Sequence, residues 1–138
     1  MSRQEHHRFP ATLRAPGAAR DALVAALSAA YPDLPPHAAA DAVVVVSELV
    51  TNAVRAGADQ IDVDYVLNEH DLLIRVSDDA PGLPVRQTAG VLDTSGRGLQ
   101  LVEALAQTWH TVARGAVGKS VQATIVLDST LDSPPTQI

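Results

Sequence analysis

Three groups of residues have types and spacings that can do chemistry. Glu48 and Asn52 stand four apart inside an apolar run, so on a helix they share one face. An asparagine can offer its side-chain oxygen to a hard divalent cation, and a glutamate can take a proton from an attacking hydroxyl or water. Asp78 closes an alternating apolar stretch and is followed by Asp79-Ala80-Pro81-Gly82-Leu83-Pro84. A carboxylate at a strand end can accept from an exocyclic amine, and Gly82 lets backbone approach a ligand closely. Ser95-Gly96-Arg97-Gly98-Leu99 opens a helical segment, where free N–H groups form an anion site and Arg97 adds charge. Each group has an ordinary alternative: a solvated helix face for Glu48 and Asn52, a plain turn for Asp-Pro-Gly, a Gly-rich helix start for the third.

These residues need a scaffold, and 138 residues suit one domain with one core. The aromatics are one Phe, two Tyr and one Trp, so Val, Leu, Ala and Ile must fill that core. The net charge of −6 argues against a non-specific nucleic-acid binder, which needs a basic face to replace phosphate counterions. It leaves room for a nucleotide held by backbone N–H groups and a metal. The absence of cysteine excludes disulfides, thiolate catalysis and Cys-based zinc sites. No uninterrupted apolar run reaches the roughly 18 residues of a membrane span, and the first eight residues have no signal-peptide core. A cytoplasmic protein without membrane contact is the expectation.

Along the chain, residues 1–7 read as a disordered arm and residues 8–15 as a first strand with Phe9, Ala11 and Leu13 on one side. Ala19, Leu23, Ala26, Leu27 and Ala30 form a helical stripe over 17–30. A second helix spans about 36–56, with Pro36 suited to its first position, Ala39, Val43, Val46, Val50, Ala53 and Val54 at helical spacing, and Gly57 as its stop. Ile61-Val63-Tyr65 and Leu72-Ile74-Val76 alternate around Asn68-Glu69-His70-Asp71, which predicts a hairpin. A loop over 80–96, a helix over 97–107 and a hairpin of 109–114 with 120–127 complete the domain, and 128–138 read as a flexible tail. The pattern predicts an α+β two-layer sandwich: a mixed, mostly antiparallel sheet of about five strands, with about three helices on one face.

The motifs also occur in a telling order. Ser47-Glu48-Leu49-Val50-Thr51-Asn52-Ala53-Val54 resembles the N box of the GHKL ATPases, which include gyrase, heat-shock chaperone, histidine kinase and mismatch-repair ATPases. Asp78 to Pro84 resembles their first glycine box, Ser95 to Leu99 the second, and Gly118-Lys119-Ser120-Val121 the last, in which a Gly-Thr pair precedes a strand. The resemblance covers residues 8–127 and implies the Bergerat ATP-binding fold, with ATP and Mg²⁺ as cofactors. The small size is similar to bacterial anti-sigma-factor serine kinases. That resemblance implies a protein partner, a sigma factor or an anti-sigma antagonist, and a homodimer. Carried onto this chain, it makes Asn52 the Mg²⁺ ligand, Glu48 the catalytic base and Asp78 the acceptor of the adenine amine. Gly82, Gly96, Arg97, Gly98 and Leu99 line the nucleotide, Ser120 helps hold adenine, and 84–95 form an ATP lid. Ala80, Ala56 and Ser120 depart from the family's glycine, histidine and threonine.

Three rivals differ in class. Ala113-Arg114-Gly115-Ala116-Val117-Gly118-Lys119-Ser120 fits a relaxed phosphate-loop pattern, but it precedes a strand rather than a helix. A histidine kinase fragment would need a phosphoacceptor histidine on a long dimerising helix, and His6, His7, His37, His70 and His110 have none around them. A module that holds ATP and sequesters a partner, without phosphoryl transfer, uses the same nucleotide-binding residues.

Overall fold

The computed structural model describes residues 2–81, 96–113 and 117–127. Eight elements follow in order: β1 (Arg3–Pro10), α1 (Ala15–Ala30), α2 (Pro36–Arg55), β2 (Gln60–Leu67), β3 (Asp71–Pro81), α3 (Gly96–Leu105), β4 (Thr108–Ala113) and β5 (Val117–Val126). The strands form one sheet in the order β1-β2-β3-β5-β4, and every pairing is antiparallel. The expected α+β sandwich is present, with no parallel pair among the described strands.

Alternation builds the sheet's inner face. Ile61, Val63, Tyr65 and Leu67 of β2, Leu72, Ile74 and Val76 of β3, and Val121, Ala123 and Ile125 of β5 are all buried. They meet Ala15, Ala19, Leu23, Ala26 and Leu27 of α1 and Val102 of α3. The Tyr65 hydroxyl crosses the layers and donates to the Ala19 carbonyl at 2.8 Å, which gives the buried phenol its partner. Burial raises the Tyr65 pKa well above that of a free phenol.

The central helix is α2, packed between α1 and α3 and over the sheet. By length and apolar composition it would suffice to cross a membrane, yet here it is the core helix of the sandwich. Its buried stripe is Ala38, Ala42, Val45, Val46, Leu49, Val50 and Ala53. The expected stripe is therefore rotated: Ala39, Val43 and Val54 are only partly buried, because a helix with neighbours on two flanks and a sheet beneath buries a wide arc whose centre the Val43–Val46 run does not mark. Gly57 ends the helix at φ +87°. Its N–H bonds the Val54 carbonyl at 3.1 Å and the Ala58 N–H bonds the Ala53 carbonyl at 3.5 Å. Those two bonds are a Schellman cap, which turns the chain into β2.

The first strand departs from expectation at both ends. It starts at Arg3, not Arg8, so most of the supposed disordered arm is paired residue for residue with β2. It ends at Pro10, and Leu13 lies 92% exposed in the turn before α1. Cross-strand charge holds this polar edge: His6 Nδ1 meets Asp64 Oδ1 at 2.6 Å, and Arg8 Nε donates to Asp62 Oδ1 at 2.9 Å. The hydrogen bond to Asp64 raises the His6 pKa above 6.5. This contact therefore stabilises β1 fully below that ordinary value and is lost as pH rises through the raised one. In an NMR titration His6 should show a pKa above 6.5, and Asp64→Asn should bring it back toward 6.5; an unshifted wild-type value would remove the pairing.

Candidate functional site

The polar residues gather at one end of the sandwich. Ile61, Asp78, Lys119 and Ala113 lie side by side in one row across β2, β3, β5 and β4. Asp78 stands on the inner face at the end of β3 and is 3% exposed. Its Oδ1 accepts the Ala80 N–H at 3.0 Å, and its Oδ2 accepts from the Lys119 ammonium at 2.7 Å. The register then shifts between Asp78 and Pro81, so β3 breaks from its partner just beyond the carboxylate.

The two adjacent acids divide the work. Asp79 points away from the interior, where its Oδ1 accepts the N–H groups of Asp59 at 2.8 Å and Gln60 at 3.2 Å. These backbone donors, Gln60 first and then Asp59, lower its pKa. Asp79 thereby ties the end of β3 to the start of β2 and fixes the direction in which Asp78 points. Sequence reasoning passed over Asp79; its signal was the parity of the strand, which places it opposite Asp78.

Gly118 closes the site from β5. It adopts φ +89°, and a Cβ there would lie 2.3 Å from the Asp78 carbonyl oxygen. Only glycine fits, because both the left-handed backbone and the steric contact exclude a side chain.

Ser120 does not join this group. Its register partner is Ser77, and the two hydroxyls meet at 2.8 Å on the sheet face turned away from the helices. Strand parity puts Ser120, expected to help hold a base beside Asp78, on the other face: Lys119 shares the inner face with Val121, Ala123 and Ile125. Lys119 is the residue the sequence reading missed. The alternation of β5 was enough to find it.

Glu48 and Asn52 are half-buried on α2. Ser47, beside them in sequence, accepts from Arg20 Nη1 of α1 at 3.3 Å. At 3.6 residues per turn, Glu48 and Asn52 lie about 100° and 140° round the helix from Ser47, on the flank turned from α1. α3 also packs against α2. Gly96, Arg97, Gly98 and Leu99 form the first turn of α3. The connection after α3 is two residues long, and the Gln107 N–H bonds the Thr124 carbonyl at 2.7 Å as β4 begins. The chain reverses there, so the N-terminal end of α3 lies toward the end of the sheet that carries Asp78. Gly82 and residues 84–95 lie outside the described residues. Ala80 adopts no positive φ, so the glycine expected there is not required by the backbone. Ala56 is the exposed C-cap of α2.

The model of the histidine kinase-like ATPase domain matches residues 9–125. The chain belongs to that family. Among curated proteins, none matches the sequence. Among solved structures, the chain is similar to the RsbU and RsbW domains of Rv1364c from Mycobacterium tuberculosis, with a TM-score of 0.68 and 24% identity. The match covers 91% of this chain and 32% of that one, so the chain spans about a third of its length. At that identity the likeness speaks for the fold. The family implies ATP as the ligand of this histidine kinase-like ATPase domain, and the residues present fit a nucleotide. The Asp78 carboxylate commits two of its roughly four lone-pair sites, so an amine can still be accepted. The missing side chain at Gly118 lets β5 press against the carbonyl of that same residue, which sets the carboxylate at a fixed depth.

Gly118→Ala should cost at least about 2 kcal/mol in urea unfolding, from φ strain and the clash with Asp78. A loss below about 0.5 kcal/mol, the range of ordinary surface changes, would show that β3 and β5 are not locked at this point.

Proposed function

We propose that this chain is a Mg-ATP-binding regulatory protein of the anti-sigma-factor serine/threonine kinase type, which phosphorylates an antagonist protein. The observation that carries the reading is the buried Asp78 carboxylate, held against Gly118 at the end of β3, in a histidine kinase-like ATPase domain. Asp78 would accept from the exocyclic amine of adenine. Asn52 would offer its side-chain oxygen to Mg²⁺, a cation that suits one protein oxygen together with phosphate and water ligands. Bound magnesium supplies positive charge against the triphosphate. The opening turn of α3, Gly96-Arg97-Gly98, would present backbone N–H groups to the phosphates, with Leu99 following as part of the site wall. Glu48 would take the proton from a Ser or Thr hydroxyl of the partner as that oxygen bonds to the γ-phosphorus and the β,γ-bridging oxygen leaves with ADP. The chain's contribution is then positioning and proton acceptance. A cytoplasmic location, a sigma-factor or antagonist partner and a homodimer belong to the same proposal.

A second reading, ATP-dependent sequestration of a partner without phosphoryl transfer, keeps Asp78 and Asn52 and does without Glu48. The exposed methyl of Ala56 favours it, since that position offers no donor to a phosphate.

Asn52→Ala should abolish Mg²⁺-dependent ATP binding in calorimetry and keep the fold, since alanine suits a helix interior. Unchanged Mg-ATP affinity would remove Asn52 from the metal site. Glu48→Gln separates the two readings. It keeps the shape of the side chain but cannot take the proton, so ATP affinity should hold while phosphorylation of the partner falls by about 10²–10⁴. Undiminished transfer would show Glu48 to be no base. A wild type that transfers no phosphate, yet requires ATP to hold its partner, establishes the sequestering module.

A further inference from the structure

Lys119 is the one lysine of the chain, and it stands in register with Asp78 on the inner sheet face. Its ammonium lies 2.7 Å from Asp78 Oδ2, with the lysine side chain 21% exposed and the carboxylate 2%. The pair is thus buried on the acid's side and reachable on the amine's side, at the end of the sheet toward which α3 begins. Lysine carries three N–H donors, and the ion pair with Asp78 uses one. Asp78 likewise keeps lone pairs free beyond its contacts with Ala80 and Lys119. An adjacent acceptor and donor, both with spare capacity, form a two-point reader for a molecular edge that carries a donor beside an acceptor.

The geometry points to Lys119 as a base-specificity residue: with Asp78 accepting from the N6 amine of adenine, Lys119 donates to the neighbouring ring nitrogen, N1. This rests on the nucleotide reading above and deepens it. The adenine edge presents N6–H as donor and N1 as acceptor at adjacent atoms, the complement of the carboxylate–ammonium pair. Guanine in the same pose inverts both atoms, placing its O6 against the carboxylate and its N1–H against the ammonium. Two mismatches would then reject it. In this proposal the ion pair persists when adenine enters, so Lys119 serves as a reader and not as a plug. Gly118, which cannot take a side chain, holds the backbone that delivers Lys119 hard against Asp78.

The test compares nucleotides before it compares mutants. Calorimetry on the full chain with Mg²⁺ measures ATP against 1-deaza-ATP, in which C–H replaces N1 and leaves the Lys119 donor unmatched. Wild type should bind ATP at least roughly tenfold tighter, the scale of a hydrogen bond to a charged group. Lys119→Met should reduce that ratio to about one, while preference for ATP over purine riboside triphosphate, which lacks the N6 amine, persists through Asp78. Equal affinity of wild type for ATP and 1-deaza-ATP overturns the inference without any mutant. So does a Lys119→Met variant that keeps the wild-type ratio, or one that binds both nucleotides more tightly in unchanged proportion, as removal of a plug would give. A wild type that binds no nucleotide overturns the nucleotide reading itself, and this inference with it.

Discussion

A carboxylate buried in a wall of valines is the constraint on which the working end of this molecule depends. Removing an ion from water costs several kcal/mol even after the protein relaxes, and a buried pair often does no better than apolar residues of the same volume. Asp78 is therefore a poor device for stability. Its position is tolerable because two donors satisfy it, the Ala80 N–H and the Lys119 ammonium from β5, while Asp79 ties β3 to β2 and keeps its neighbour turned inward. Such an arrangement makes sense when a ligand also draws on the carboxylate, as proposed for the adenine amine.

The rest of the sandwich prepares that end. The Schellman cap at Gly57 brings α2 to a stop where β2 starts, so the helix that carries Glu48 and Asn52 finishes beside the row of Ile61, Asp78 and Lys119. The short turn after α3 brings its N-terminal end to the same place. Two glycines with positive φ, Gly57 and Gly118, thus stand at the two points where backbone direction decides the site. Elsewhere the described chain follows ordinary helix and strand conformations.

Most of this architecture was legible because its periods are clean. β2 alternates along its length and β3 as far as Val76, and the hairpin between them follows from the turn residues Asn68 to Asp71. The helices could be placed because alanine and valine recur at helical spacing. What was not legible depended on partners far away in sequence. The charged opening from Arg3 to Arg8 reads as a solvated arm until Asp62 and Asp64 are placed opposite it. The buried arc of α2 is set by neighbours on both flanks, which no local pattern reveals. At the site, Asp78 and the opening of α3 were recognisable from residue type and spacing, whereas the choice between Lys119 and Ser120 turned on a single step of register. In a strand one step is the difference between two faces, and it is the apolar alternation of Val121, Ala123 and Ile125, not the motif of adjacent polar residues, that says which of them points inward.

A single lysine has a practical meaning beyond the site. A lysine-specific endoprotease has one bond to cut in this chain, and that bond lies in β5, bonded to β3 on one side and β4 on the other. Proteases need several residues of extended, unpaired backbone, which an interior strand supplies only when the sheet comes apart. Cleavage at Lys119 is therefore a built-in gauge of the parting of β5 from β3 and β4, and its rate, when reclosure outruns cutting, tracks the population of the opened form.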